Sequence, residues 1–333
     1  MKLLTDLSSI DRSQWQMLVN QSPVASIFQT PEMCDFYSTL NLYKVKVIAV
    51  EENQALKGVV LCLLQQDGGY IKRHLTSRAI INGGPLLADD ISDEALQTLL
   101  NATIQMLKNR CIYTETRNLN DYSRWRNIFE ASGFSYVPHY NFHIDTTDIN
   151  QVDKRIDKSR RRRIRRAIEN GATISNESLH LPAFYQILSN LYHNKIHKPL
   201  PPYCLFEQLV HAPFAHYFFV LNQQKEVIGG QLILMLEKRV AYAWYCCGLD
   251  KEYHDLYPSI MANYTAIHFA SENGYARYDM MGAGNPNEDY GVRDFKAQFG
   301  GTLVEHGRFI KINNHLIYKT GCFAMTIIKK MKK

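Results

Sequence analysis

Two stretches of this chain place apolar and polar residues in the same order. In residues 48–63 the apolar run Ile48-Ala-Val50 gives way to the polar Glu51-Glu-Asn-Gln54, and the chain returns through Gly58 to Val59-Val-Leu-Cys-Leu63. Residues 219–234 repeat this without a gap: Phe219-Val-Leu221, a polar turn Asn222-Gln-Gln-Lys-Glu226, then Gly229 and Leu232-Ile-Leu234. An apolar run, a polar turn and a second run entered through glycine predict a β-hairpin in each place. Further matches follow in the same order. Asn82-Gly-Gly84-Pro-Leu86 aligns with Cys246-Cys-Gly248-Leu-Asp250, each closing a strand. A helical pattern comes next, from Asp93 to Asn109 and from Tyr257 to Asn273, and then a strand that ends in an acid, Glu115 or Asp279. Four correspondences in one order predict an internal duplication. Each copy reads hairpin, strand, helix, strand, which is an α/β layer arrangement with a mixed sheet.

The break between copies is expected near residue 150, after Asp145-Thr-Thr-Asp-Ile-Asn150, giving domains 1–150 and 151–311. A further helix is expected from Pro182 to about His197, and Lys198-Pro-Leu-Pro-Pro202 then breaks the pattern as a loop.

Composition fits 333 residues in two domains: 46% of positions are hydrophobic and 21% charged. The apolar run at Met1-Lys-Leu-Leu-Thr-Asp6 ends within a few residues. No window approaches the roughly 18 apolar residues of a membrane span, so the expected location is the cytoplasm. The seven cysteines are scattered and show no CxxC spacing, which favours reduced thiols over a disulfide or zinc framework. His193 and His197 have the spacing of a helical metal pair but lack a third ligand in sequence, so no metal is expected.

Charge sharpens the picture more than composition does. Residues 153–166 hold nine basic and two acidic residues, a local charge of +7 in a chain whose total is +6. With Val152, Ile156, Ile164 and Ile168 as an apolar stripe interrupted by Arg160, and Glu169-Asn-Gly171 as a stop, this reads as one helix that packs on one side and presents guanidinium groups on the other. Arg161, Arg162, Arg165 and Arg166 are the candidate contacts for a polyanion: RNA, a pyrophosphate or an anionic membrane surface. The planar guanidinium fork can hold two phosphate oxygens at once.

The densest candidate site is Gly282 to Gly301. Gly282, Gly284 and Gly291 with Pro286 predict a flexible loop, and Asp294 to Phe299 a single helical turn with Phe295 and Phe299 on one side. Lys296 projects from that turn. An amine attacking an ester or thioester forms an oxyanion, which needs a facing cation, and releases a proton, which needs an acceptor. Lys296 is the candidate cation; Asp279, Asp294 and Asp289 are the candidate acceptors. Tyr242 and Trp244 share a strand face on alternation and, with Tyr245, could stack on a sugar or base or fill the core.

Together Ser159-Arg-Arg-Arg-Arg-Ile-Arg-Arg166, Val227-Ile-Gly-Gly230, Tyr242-Ala-Trp-Tyr245 and Phe295-Lys296 with Phe299-Gly-Gly301 resemble the FemABX family, along nearly the whole chain. The resemblance implies two tandem GNAT-like (acyl-CoA N-acyltransferase-like) domains and a segment 312–333 that packs back on the first. It implies transfer of an amino acid from aminoacyl-tRNA to an amine of a nucleotide- or lipid-linked peptidoglycan-type precursor. It gives Lys296 a functional role. Phe295, Gly282, Gly284, Tyr242, Trp244 and Tyr245 are the substrate-binding candidates. The long helical hairpin that many members insert has no counterpart between residues 171 and 219.

The donor is read separately. In ordinary GNAT enzymes a glycine-rich turn lets backbone N–H groups reach the CoA pyrophosphate. That position holds Asp250-Lys-Glu-Tyr-His-Asp-Leu-Tyr-Pro258 here, and Leu86-Leu-Ala-Asp-Asp-Ile-Ser92 in the first copy, with no glycine in either. Aminoacyl-tRNA is therefore the expected donor and no cofactor is expected; an acyl-CoA-dependent N-acyltransferase and a non-catalytic RNA-binding scaffold are the alternatives. Cys322 to Lys333 mixes apolar and basic residues, and is read either as a helix packed on the first domain or as a contact with an anionic membrane's inner face.

Overall fold

The computed structural model describes residues 1–66 and 76–321. They form two units, Met1–His139 together with the segment from Glu305 onward, and Tyr140–Val304. The first unit is built on strands β1 (Lys2–Leu4), β2 (Lys44–Glu52), β3 (Ala55–Gln65), β4 (Arg78–Gly83), β5 (Leu86–Leu87), β6 (Tyr113–Asn118) and β7 (Ser135–Val137). The second holds β8 (Tyr140–Asp145), β9 (Thr173–Ser175), β10 (Ala215–Leu221), β11 (Val227–Leu236), β12 (Val240–Gly248), β13 (Arg277–Gly282) and β14 (Thr302–Glu305), after which the chain returns to the first unit as β15 (Arg308–Ile312). The sheet orders are β1-β2-β3-β4-β6-β15-β7, with β5 beside β3, and β14-β8-β13-β12-β11-β10-β9.

The duplication is visible in the topology. In the first unit the β2–β3 hairpin, β4, the helix Asp93–Leu107 and β6 follow one another; in the second the β10–β11 hairpin, β12, the helix Pro258–Glu272 and β13 do the same. In both, the third strand runs antiparallel to the hairpin and parallel to the strand after the helix. The two are tandem domains of mixed α/β structure. The hairpin glycines have a packing cause. A Cβ on Gly58 would come within 2.7 Å of Leu99 on the first helix, and one on Gly229 within 2.9 Å of Pro258 at the start of the second. Each glycine lets the helix lie directly on its sheet.

The next residue shows how the second sheet is covered. A Cβ on Gly230 would meet Phe184, in the helix Leu181–Leu191, at 3.0 Å. Successive strand residues point to opposite faces, so the helices Leu181–Leu191 and Pro258–Glu272 cover opposite faces of the second sheet. Phe184, Phe206 and Phe219 are completely buried on the first of these faces; Ala262, Ala266, Tyr278 and Met280 fill the core on the other.

Two expectations change. The division lies at 139/140, not near 150, because β8 hydrogen-bonds to β13 and belongs to the second sheet. The arginine-rich segment is two helices, Ile149–Arg155 and Lys158–Glu169. Asp157 separates them, its carboxylate accepting from Ser159 N at 2.8 Å and Arg160 N at 3.3 Å as the second helix's N-cap. Ile168, expected in the apolar stripe, is 54% exposed, while Arg160 and Ala167 are buried. Residues Cys322 to Lys333, read from sequence as a terminal helix or membrane contact, lie outside the described residues. Among the described residues no helix is long and apolar enough to cross a membrane.

Candidate active site

The parallel strands β12 and β13 pair only at Val240↔Arg277, Ala241↔Tyr278 and Tyr242↔Asp279. Both run on beyond this point without pairing to each other, so the sheet forks. Each prong bends for a local reason. In β12, Ala243 and Tyr245 lie opposite the neighbouring residues Ile233 and Leu232 of β11, leaving Trp244 as the extra residue of a bulge. This shift removes the simple alternation that put Tyr242 and Trp244 on one face. In β13, Met281 adopts φ +57°, a left-handed conformation costly for a side chain with a Cβ, and its N–H donates to Asp279 Oδ1 at 2.6 Å.

The turn after the fork faces these bent carbonyls. The helix Gly291–Ala297 carries Lys296, whose ammonium donates to the carbonyl oxygens of Met280, of Gly282 at 2.8 Å and, at 3.4 Å, of Met281. Burial lowers the Lys296 pKa to about 8, against the raising effect of Asp279. An ammonium has three donors. Two are committed to close carbonyls, and the third makes a long contact that a better acceptor could replace. One helical turn earlier on the same helix, Arg293 donates to the carbonyls of Ala283 at 3.1 Å, Asn285 at 2.5 Å and Glu288 at 3.2 Å, which fixes the glycine loop. Gly284 takes φ +83° within that loop and its carbonyl accepts from Tyr140 N at 2.9 Å. Arg293 was not singled out from sequence; its spacing of three from Lys296 was the available signal.

Gly282, Asp279 and Lys296 are thus brought together. Asp294 and Asp289 are exposed, and Asp294, two residues before Lys296, projects from a different side of the helix. Phe295 packs at 5.4 Å from Phe299. Tyr242 is fully buried, level with Asp279 in the strand register. Tyr245 stands among Tyr192, Phe206 and Trp244, with ring centroids at 6.0, 5.0 and 5.0 Å. Cys246 is also at the fork, accepting from Asn263 Nδ2 at 3.3 Å, and burial pushes its thiol up to about 12, so it is not a thiolate at neutral pH.

Sequence reasoning missed what holds the lysine turn. Arg160, only 2% exposed, places its guanidinium carbon 4.6 Å from the Phe295 ring centre and 4.9 Å from that of Phe299. It donates to Phe295 O at 3.2 Å and Gln298 Oε1 at 2.8 Å. Burial lowers its pKa to about 10, which leaves it charged at neutral pH. The arginine read as an interruption of an apolar stripe is an anchor for the turn. Around the outside of the same helix, Arg161, Arg162 and Arg165 are exposed, while Arg166 pairs with Asp255 at 2.6 Å.

At the start of the helix Pro258–Glu272, Asp250 closes the helix end: its carboxylate accepts from Ser259 N at 3.0 Å and Ser259 Oγ at 2.5 Å. Among the described residues no group of three or more His, Cys, Asp or Glu side chains comes together as a metal site.

Residues 214–326, which include the fork and the lysine turn, match the model of the FemAB family. The solved structure of FemX superposes with a TM-score of 0.72 over 96% of this chain and 99% of that one, at 16% identity. The likeness in sequence is to the FemAB family over residues 214–326, and the likeness to FemX is one of fold. Other structures share the fold: a tandem GNAT protein from the clavulanic acid biosynthesis pathway, at TM-score 0.60 and 10% identity over 94% of this chain and 98% of that one, and the C-terminal domain of a putative lysylphosphatidylglycerol synthetase from Agrobacterium fabrum, at 0.58 and 11% over 94% of each. No curated protein sequence matches the chain.

Proposed function

We propose that this protein is a transferase of the FemABX type and that it moves an aminoacyl group from aminoacyl-tRNA to an amine of a nucleotide- or lipid-linked peptidoglycan-type precursor, in the cytoplasm, with the chemistry at the fork of the second unit. The observation that carries the choice of donor is Asp250. An acyl-CoA donor in this fold would lay its pyrophosphate on the N–H groups at the start of the helix Pro258–Glu272. That position already holds a carboxylate engaged with Ser259. Two unit charges about 4 Å apart repel by about 4 kcal/mol at an effective dielectric of 20, enough to disfavour a second anion there. The exposed Arg161, Arg162 and Arg165 offer positive charge for a nucleic-acid backbone on the arginine helix instead.

In this reading the aminoacyl ester enters the fork with its carbonyl toward Lys296. As the amine attacks, the carbonyl oxygen gains charge and takes over the third ammonium donor, whose contact with Met281 O is long. The carbonyls of Met280 and Gly282 keep the ammonium aimed. Arg160 holds the turn from behind and Arg293 holds the loop. Tyr245 and Trp244, on the bulged prong of the fork, are the aromatic surface available to the aminoacyl side chain or the terminal adenosine.

The test is the melting temperature of the protein with saturating acetyl-CoA, a UDP-muramoyl-pentapeptide or a charged tRNA pool. A ligand that binds the native state at a hundred times its Kd stabilises by about 2.7 kcal/mol. A rise with tRNA or the nucleotide peptide, and none with acetyl-CoA, is expected. A rise with acetyl-CoA alone would replace this reading by an acyl-CoA-dependent N-acyltransferase.

A further inference from the structure

Lys296 belongs to a helix of seven residues, too short to hold its own geometry. Its end is fixed by the arginine helix Lys158–Glu169. Asp157, the N-cap of that helix, donates its N–H to Gln298 O at 3.0 Å. Three residues on, Arg160 Nη2 donates to Phe295 O and Gln298 Oε1, so its two acceptors bracket Lys296 in the chain. Phe295 O is among the last four carbonyls of the lysine helix, which have no partner inside it, and a cation suits that end. After the helix the chain turns through Gly300 at φ +78°, where a Cβ would collide with Arg155 O, so the two segments lie backbone to backbone.

Packing alone does not account for an arginine at this place. Its Nε is buried and has no hydrogen-bond partner, a cost that an apolar side chain of similar length would avoid. The guanidinium is directed instead at the lysine turn, lying against the Phe295 and Phe299 rings while Nη2 takes both acceptors. A planar fork can stack and donate along its edge at once, which an ammonium cannot. We propose that Arg160 is a positioning residue for the transfer reaction, acting on Lys296 through this turn, so that one helix holds the donor with its outer arginines and aims the oxyanion cation with its inner one. The inference rests on the aminoacyl-transfer reading above. With Arg160 in place the ammonium stays on the carbonyls of Met280 and Gly282. Without it the turn loses two hydrogen bonds and both ring contacts, and the ammonium swings toward water. The oxyanion then lacks an aimed donor, and the lysine regains the ordinary basicity that burial now suppresses. The titratable groups facing the ammonium are Asp279 on β13 and Cys246 on β12, with His143 of β8 3.2 Å from Asp279 Oδ2, and a change at Arg160 leaves all three in place.

Two measurements on the full chain test this. Arg160→Met keeps length and apolar contact without the fork, and Arg160→Lys keeps the charge without it. With a charged tRNA pool and UDP-muramoyl-pentapeptide, both should lower kcat by about 30-fold or more while KM for charged tRNA stays within about threefold, the pattern of an interaction felt in the transition state. Arg161→Gln, Arg162→Gln and Arg165→Gln together should instead raise that KM by about tenfold or more and weaken its salt dependence. The second readout needs no turnover. In protein with ¹³C-labelled lysine, assigned by comparison with Lys296→Met, the Lys296 ε-carbon should titrate near pH 8 in the parent and move toward 10.5 in both Arg160 variants, and the alkaline limb of kcat should move with it. A general loss of stability would leave that titration where it is. An unchanged titration in both variants overturns the proposal whatever the fall in rate, and so does kcat within about threefold of the parent. Recovery in Arg160→Lys alone would assign the effect to charge and overturn the role of the fork. If Arg160→Met folds poorly, Arg160→Gln takes its place beside Arg160→Lys. Absence of turnover by the parent with these substrates would sink the donor and acceptor assignment, and the Lys296 titration then decides the role of Arg160 alone.

Discussion

The two units use one chain plan and differ where their parallel strands meet. In the first, β4 and β6 stay paired at all six positions, from Arg78↔Tyr113 to Gly83↔Asn118. In the second, β12 and β13 separate after three. The first is closed by its own side chains. Just past β4, the Tyr122 hydroxyl lies 2.8 Å from Gly83 O and 2.7 Å from Pro85 O, Gln29 Nε2 donates to Gly84 O at 2.8 Å, and both residues are buried. The acids at the corresponding strand ends differ in the same sense. Burial raises the Glu115 pKa, but the charges of Arg117 and Arg308 outweigh it and hold the carboxyl below its usual value. Asp279 instead faces a histidine and a lysine at an open fork. The repeated plan supplies a scaffold. Chemistry depends on whether the strands part and on what their acid is left to do.

The comparison breaks first at Lys296. Lys296→Met should lower kcat by about 100- to 1,000-fold, the loss seen when one oxyanion donor is removed, while ligand-induced melting shifts persist. The wild-type rate should also fall as pH rises through about 8, where Lys296 loses its charge. Stability moves the other way. Because the folded pKa lies below the ordinary 10.5, the buried ammonium costs stability below pH 8 and the cost is relieved between pH 8 and 10.5. A rate that is flat to pH 10 would remove the cation from the mechanism.

Glu115→Gln, in the closed unit, should act on stability and spare turnover. It leaves Arg308 partly buried without its counter-charge and should cost about 3 kcal/mol in a denaturant titration at neutral pH. In the parent, the Glu115 contribution is present at neutral pH and drains away as pH falls through the lowered carboxyl pKa. A large kcat effect would mean that the first unit takes part in the reaction. Smallest is Tyr122→Phe, which deletes one hydroxyl from the closed loop. About 1 kcal/mol of stability should be lost with kcat unchanged.

Much of this was legible in the chain because it is local. The paired hairpins, the helix of each copy and the Phe295–Lys296 turn are set by residues adjacent in sequence, so apolar spacing and glycines announce them. Asp157 followed by Lys158-Ser159 even carried the N-cap that splits the arginine segment, a signal passed over in favour of the longer stripe. What stayed hidden depends on register. His143 looks like an ordinary polar residue between Phe142 and Ile144 until β8 is set against β13. Arg160 reads as a break in an apolar stripe until the Phe295 and Phe299 rings arrive from the far end of the unit. The closure of the first fork needs Gln29, Gly83 and Tyr122, three places that no sequence period connects.

The return of the chain as β15 also orders events in time. β15 lies between β6 and β7, so the first sheet lacks an internal strand until residues from beyond the whole second unit are available. On a ribosome, β6 must wait with an unsatisfied edge while residues 140–304 are synthesised, and β7 has no strand to join. The second unit, continuous in sequence, can fold first. Although the first unit leads the chain, it is the later one to finish, and its last contacts are made over the longest separations in the molecule, the slow kind to form.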